Sequence, residues 1–206
     1  PVRARDADTL AAILLRHSTE GIPALDEVLK IVDGAVPLLI ELKDQHGEMG
    51  ETDGALERAV AEALAGYAGP VALMSFNPHQ VFRLAALCPD VPRGIVTSAY
   101  RAEQWPELTA ATRDRLRGIP DYATAGACFI SHEATDLDRP RVAALKAEGA
   151  TILCWTVRSP KAEAAARLVA DNITFEGYAA PHAPRMRDGT PQISGEAGEA
   201  MTETEI

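Results

Sequence analysis

Residues 36–43 read VPLLIELK and residues 71–76 read VALMSF, two apolar runs that both finish in polar side chains, Glu41 and Lys43 in one and Ser75 in the other. A strand that is apolar on both faces is buried on both faces, which is the condition of a parallel sheet with helices outside it. Four further runs share the pattern: RGIVTS (93–98), ACFIS (127–131), TILCWTV (151–157) and DNITFEG (171–177). Six strands are therefore predicted. Between them, apolar residues recur at helical spacing: Leu25, Val28, Leu29 and Val32; Leu56, Val60, Ala63, Leu64 and Tyr67; Val81, Leu84 and Ala85; Val142 and Leu145; Ala165, Leu168 and Val169. Each set predicts a crossover helix, and Gly149 marks a helix stop.

Two architectures satisfy this alternation, an open doubly wound sheet or a (β/α) barrel. The strand ends LLIELKDQ and ALMSFNPH carry no GxGxxG or GxxxxGK turn, so the nucleotide-binding open sheet loses its main signature. Polar residues instead follow the apolar part of each strand: Glu41 and Lys43, Ser75 and Asn77, Ser98, Ser131 and His132, Thr156 and Arg158, and Glu176. That placement fits a barrel whose site lies on the C-terminal face of its strands. A complete barrel needs eight strands and about 250 residues. The expected fold is thus α/β, an incomplete TIM-type barrel with about six of eight parallel strands. No strand-like run precedes Leu38, so the two absent strands are expected at the N-terminal end of a truncated piece. Residues 1–187 form this partial barrel, and residues 188–206, with five acidic and no basic side chains, are expected to be a disordered acidic tail.

Composition bounds the partners. Thirty acidic against twenty basic residues give a net charge of −10, and no basic cluster is denser than Arg113, Arg115 and Arg117. Binding to nucleic acid or to an anionic membrane is disfavoured. No apolar run approaches the roughly 20 residues of a membrane span, and no signal sequence opens the chain. The three cysteines, Cys88, Cys128 and Cys154, form no CxxC pair; Cys128 and Cys154 lie in apolar runs and read as buried thiols of a reducing, cytoplasmic compartment.

The segments IPALDEVLKIVDGAVPLLIELKDQ, GPVALMSFNPHQVFRL, GATILCWTVRS and ADNITFEGY resemble, in order and spacing, the landmarks of the glycerophosphodiester phosphodiesterase family from about Ile22 to Tyr178. The family's fold is a (β/α)8 barrel, in agreement with the periodicity. The resemblance implies metal-dependent hydrolysis of glycerophosphodiesters, small molecules of lipid metabolism, to glycerol 3-phosphate and an alcohol. It also marks what is missing. The family's His-Arg-Gly, Glu-x-Asp and His-Asp motifs have no counterpart here, since none of His17, His46, His79, His132 and His182 is followed by Arg-Gly or Asp. Catalytic residues are accordingly expected to be absent, and the isolated chain inactive.

By the same resemblance Glu41 is the expected ligand of a divalent cation, Mg²⁺ or Ca²⁺, both of which take oxygen donors. Lys43, two residues on and so on the same strand face, is expected to neutralise phosphate charge or to brace the Glu41 carboxylate, the alternative being a lysine that simply extends into solvent at the barrel rim. Phe76 and Trp155 are expected as walls of a substrate pocket, and Ser75 as a hydrogen-bonding group beside it. Glu176 stands where the family more often has Thr-Asp. His132 with Glu133 could form an acid–base pair, but the stretch EATDLDRP reads better as a surface loop entered by a histidine beside a solvated glutamate. Two rival readings belong to other classes: a non-catalytic barrel fragment or binding module that has lost the chemistry, and a sphingomyelinase D-like phospholipase, which the cysteine pattern disfavours. Removing two strands from a closed barrel would also leave VPLLIELK and DNITFEG as exposed edges open to self-association.

Overall fold

The structure, a computed structural model, describes residues 2–181. The expected tail and His182 lie outside the described residues. Six strands, β1 (Leu38–Leu42), β2 (Val71–Ser75), β3 (Arg93–Thr97), β4 (Phe129–Glu133), β5 (Thr151–Val157) and β6 (Asn172–Phe175), form one parallel sheet in sequence order. The sheet curls into an incomplete TIM-type barrel. Helices α1 (Ala7–Ala11), α2 (Leu25–Val32), α3 (Ala55–Leu64), α4 (Pro78–Leu87), α5 (Ala110–Arg117), α6 (Pro140–Ala147) and α7 (Pro160–Ala166) complete the described secondary structure with two short 3₁₀ turns.

The period of two in each strand sorts side chains between two environments. Leu38, Ile40 and Leu42 of β1 and Leu73 of β2 pack outward against Val60, Leu64 and Leu84 of α3 and α4. Ile130, Ile152, Cys154 and Val157 pack outward against Val142, Leu145 and Ala166 of α6 and α7. Several of these are fully shut off from solvent, and each such aliphatic side chain contributes roughly 1.5–3 kcal/mol on burial. The opposite face carries Met74, Val96, Phe129, Leu153 and Trp155, an interior apolar layer. Gly94 pairs with Phe129 across β3 and β4, and a Cβ on Gly94 would sit 2.2 Å from the phenyl ring. The glycine is there because the ring lies over its backbone.

Several sequence expectations change in the structure. ACFIS is displaced: β4 starts at Phe129 and includes His132 and Glu133. Cys128 then falls before the strand and is exposed, whereas Cys154 is buried as expected and its thiol is pushed up to about 11 by burial. Leu168 lies beyond the end of α7 and is 85% exposed. Helix α5 was not anticipated, because its sequence AATRDRLR offers Leu116 as its only buried side chain. Its arginines brace the loops on either side: Arg117 donates to the carbonyls of Ala99 (2.9 Å) and Tyr100 (3.2 Å) before the helix, and Arg115 pairs with Asp121 after it at 2.6 Å.

His132 is corrected most. It sits inside β4, fully buried, with Nδ1 2.7 Å from Thr97 Oγ1 and Nε2 3.1 Å from Asp136 Oδ2, while Arg139 Nε donates to the same carboxylate oxygen at 2.6 Å. This chain of contacts ties β3 and β4 to the turn that leads into α6. Burial pushes the imidazole below its ordinary value of 6.5, and the contact with Asp136 offsets only part of that shift. An unfolded chain therefore takes up a proton on His132 that the folded one refuses.

Two outcomes are expected. Stability should be fully present above about pH 6.5 and fall as the pH drops below it, and His132→Asn should flatten that slope in urea unfolding between pH 7 and 5.5. Gly94→Ala should destabilise by about 1–3 kcal/mol through forced displacement of the Phe129 ring, read as a lower urea midpoint at unchanged slope.

Candidate active site

Because all six strands are parallel, their C-terminal ends share one rim, and a cavity of about 380 Å³ opens there. Met74, Val96 and Ser131 form its floor, Phe76, Trp105 and Trp155 its walls, and Glu41, Lys43, Thr156 and Thr174 complete the lining. A shallow groove between α2 and α3, bordered by Asp26, Lys30, Glu62 and Tyr67, lies on the helical face and far from this chemistry.

The walls are held by their own polar atoms. Trp155 Nε1 donates to the carbonyl of Ser131 at 3.0 Å, and Trp105 Nε1 donates to Ser98 Oγ at 3.1 Å. With both N–H groups bound to the framework, the indoles offer carbon surface to the cavity. Phe76 packs between them, its centroid 5.0 Å from Trp105 and 5.5 Å from Trp155. Tyr100, fully buried, packs behind the wall with its ring 5.2 Å from that of Trp105 and tilted 45° to it, and burial together with the charge of Asp121 raises its phenol.

At the rim Lys43 Nζ donates to Glu41 Oε1 at 2.8 Å, with Lys43 mostly in solvent and Glu41 largely covered. A pair this open contributes about 0–1 kcal/mol, so either member can be drawn to another ion at small cost. The loop that follows is fastened from below. Asp44 Oδ2 accepts from the backbone N–H of Gly47 (2.5 Å) and Met49 (3.3 Å), and Asn77 Nδ2 donates to Asp44 Oδ1 at 2.6 Å and to the Gly50 carbonyl at 2.7 Å.

Of the residues proposed from sequence, the structure brings Glu41, Lys43, Phe76 and Trp155 to this cavity and leaves Ser75 out of it. Ser75 has the opposite strand parity to Met74 and Phe76; its hydroxyl donates to the Leu42 carbonyl at 2.7 Å, lies 2.6 Å from Gln80 Oε1 and accepts from the Asn77 N–H. It couples β1 to β2 from the helical side. Glu176 is exposed and paired with Arg158, outside the lining. Trp105 was not singled out from sequence, since it lies in the β3–α5 loop with no periodicity to place it. Val96, Ser131 and Thr174 could have been found by counting alternate residues along each strand.

Glu133 is not solvated either. It accepts from Arg101 (2.8 Å), Thr135 Oγ1 (2.6 Å) and the Ala99 N–H (3.1 Å). Burial opposes its ionisation, but these donors prevail and hold its carboxyl below the usual range. It borders a second, polar cavity with Arg101, Gln104, Thr135 and Arg158, on the far side of Trp155. Among the described residues, no group of three or more His, Cys, Asp or Glu side chains is placed to hold a metal ion. Glu41 is the lone carboxylate of the cavity lining.

Comparison with known proteins agrees with this fold. The model of the glycerophosphoryl diester phosphodiesterase family matches residues 4–174. YhdW of Bacillus subtilis (strain 168), which carries a glycerophosphodiester phosphodiesterase name, is 26% identical over 147 residues, 70% of this chain and 54% of that protein. The chain thus spans about half the length of this curated relative. A glycerophosphodiester phosphodiesterase from Parabacteroides distasonis ATCC 8503 superposes with a TM-score of 0.59 at 20% identity, over 82% of this chain and 66% of the other. An Oleispira antarctica phosphodiesterase, solved with its product sn-glycerol-3-phosphate, superposes with a TM-score of 0.55 at 22% identity, over 76% and 58%. The extent of the family match, from before α1 to within β6, is decisive: this chain belongs to the glycerophosphoryl diester phosphodiesterase family.

Proposed function

We propose that this chain carries the substrate-binding part of a phosphodiesterase that hydrolyses glycerophosphodiesters to glycerol 3-phosphate and an alcohol. The observation that carries the reading is the single cavity in which the Glu41–Lys43 pair stands above walls of Phe76, Trp105 and Trp155. A glycerophosphodiester has the same division, an anionic phosphate joined to a short carbon chain. Lys43, with its ammonium on a flexible stem, neutralises phosphate charge, and the aromatic carbon surface packs against the glycerol carbons. The related Oleispira protein, with sn-glycerol-3-phosphate as its product, supports the same substrate class here.

A divalent cation, Mg²⁺ or Ca²⁺, belongs to this proposal through Glu41, a hard oxygen donor at a strand end. Tested against the described residues, the fit is incomplete. One carboxylate, already accepting from Lys43, does not fix a cation that takes six or more oxygen ligands, and no step of the reaction is derived through it. The described lining also contains no histidine, so the acid and base that ester hydrolysis requires are not supplied by it. We infer that the chain alone binds the product and does not turn over. No described helix is long and apolar enough to cross a membrane, and the three free cysteines fit the proposed cytoplasmic setting. Self-association through the sheet edges is part of the same reading. Among the described strands β1 and β6 each have one neighbour, with Leu39 40% and Phe175 44% exposed, and such edges recruit further strands.

Incubation with glycerophosphocholine and Mg²⁺ or Ca²⁺ should release no measurable glycerol 3-phosphate. Metal-dependent turnover that Glu41→Gln abolishes would overturn this. Light scattering should show association beyond the monomer despite the charge of −10, whereas a monodisperse monomer would exclude the edges as a contact surface.

A further inference from the structure

Among the described residues two buried side-chain polar atoms have no hydrogen-bond partner, Arg93 Nε and Ser131 Oγ. Arg93 starts β3, at the rim opposite the cavity, and its remaining nitrogens serve the carbonyls of Gly126 (3.2 Å), Cys88 (3.3 Å) and Pro89 (2.6 Å). Its guanidinium is satisfied as a group. Ser131 differs. It is fully buried, it borders the cavity floor, and its neighbours there are Met74 and Val96, which offer nothing to a hydroxyl. Its own carbonyl is engaged by the Trp155 indole, and its cross-strand partners are Val96 and Leu153.

A buried hydroxyl without a partner costs free energy that alanine or valine at the same site would avoid, and such groups call for a specific explanation. In β4 the interior positions are Phe129, Ser131 and Glu133, and the first and last have evident uses, in the apolar layer and in the Arg101 pair. Of these three, Ser131 alone carries a side-chain polar atom without a hydrogen-bond partner among the described residues. It lies beneath the aromatic walls, with the charged pair at the mouth above it. A ligand that engaged Lys43 through an anionic group and filled the cavity with a short carbon chain would bring its far end to this hydroxyl.

We propose that Ser131 is a specificity-determining residue whose hydroxyl hydrogen-bonds a hydroxyl of the substrate's glycerol moiety. This rests on the phosphodiesterase reading and deepens it. The cavity selects a hydroxylated three-carbon arm over a bare alkyl arm because only the former satisfies Ser131 Oγ. A site built to bond a substrate hydroxyl rejects analogues lacking it, since its own polar group is then left buried and unpaired. The selection acts on binding, and no covalent step is involved.

The chain contains two tryptophans, and both line the cavity, so intrinsic fluorescence reports occupancy directly. Titration of the full chain with sn-glycerol 3-phosphate, with propane-1,2-diol 1-phosphate and with 3-hydroxypropyl phosphate compares the complete glycerol arm with arms lacking either hydroxyl in turn. The unaltered chain should bind glycerol 3-phosphate about tenfold more tightly than one of the two deoxy analogues. Ser131→Ala should bring glycerol 3-phosphate to the level of that analogue and leave the analogue's own affinity unchanged, with a thermal midpoint equal to or above that of the unaltered chain. An equal loss for all three ligands would assign Ser131 to cavity shape through Trp155 and overturn the proposal. Unchanged affinity for glycerol 3-phosphate in Ser131→Ala would overturn it too, while the phosphodiesterase reading stands. No fluorescence response of the unaltered chain to glycerol 3-phosphate would remove both.

Discussion

Everything at the candidate site depends on six strands pairing in parallel, each with its sequence neighbour. Parallel pairing sends every C-terminal strand end to one rim, and the alternation along each strand decides which side chains enter the interior. Glu41 lies opposite Met74, Val96 opposite Ser131, and Glu133 opposite Trp155. All six of these residues line a cavity at that rim. A slip of one residue in β4 would exchange Ser131 for His132 and put a histidine in the cavity floor. The buried contacts of His132 with Thr97 and Asp136 oppose such a slip from the helical side.

The second layer of order lies behind the rim. The loop after β1 is held by Asp44 and Asn77, the β1–β2 junction by Ser75, and the loop after β3 by Arg117 on two carbonyls. Each joins side chain to side chain or backbone where a connecting loop would otherwise be free to move. Trp105 in particular stands in the wall because α5 anchors its loop and Ser98 takes its indole N–H. Ser75, a candidate site residue in the sequence, is thus spent on joining two strands.

Charge is divided unequally between the two cavities at the rim. The central one has a loosely held pair, Glu41 with Lys43, largely open to solvent on the lysine side. The neighbouring one has Glu133 locked by three donors. A loosely held pair exchanges partners at small cost, whereas a buried carboxylate stripped of its donors is heavily penalised. The first arrangement suits an ion-binding mouth and the second a structural clasp. This difference is why the cavity between Phe76 and Trp155, and not its neighbour, is the one proposed to take the phosphate group.

The sequence by itself determined the sheet and most of its helices. Apolar runs near five residues long, separated by stretches of helical period, leave few alternatives once Gly-rich turns are absent, and TILCWTV matches β5 residue for residue. The family resemblance of its segments singled out Glu41, Phe76 and Trp155, and Lys43 follows Glu41 by two residues; they are neighbours because strand-end residues on one parity share a rim. Tertiary structure alone decided the rest. Helix α5 has almost no apolar face, and its place comes from arginines reaching backbone carbonyls far away in sequence. Trp105 belongs to a loop whose path no local pattern encodes. Ser75 and His132 read as site residues or loop residues until burial and partners showed them facing the helices. Ser131 and Ser75 look alike in the sequence, each a serine at a strand end. Only the assembled barrel shows that, among the described residues, the hydroxyl of Ser75 is satisfied and that of Ser131 is not, because partners are a property of the packed neighbours and not of the residue.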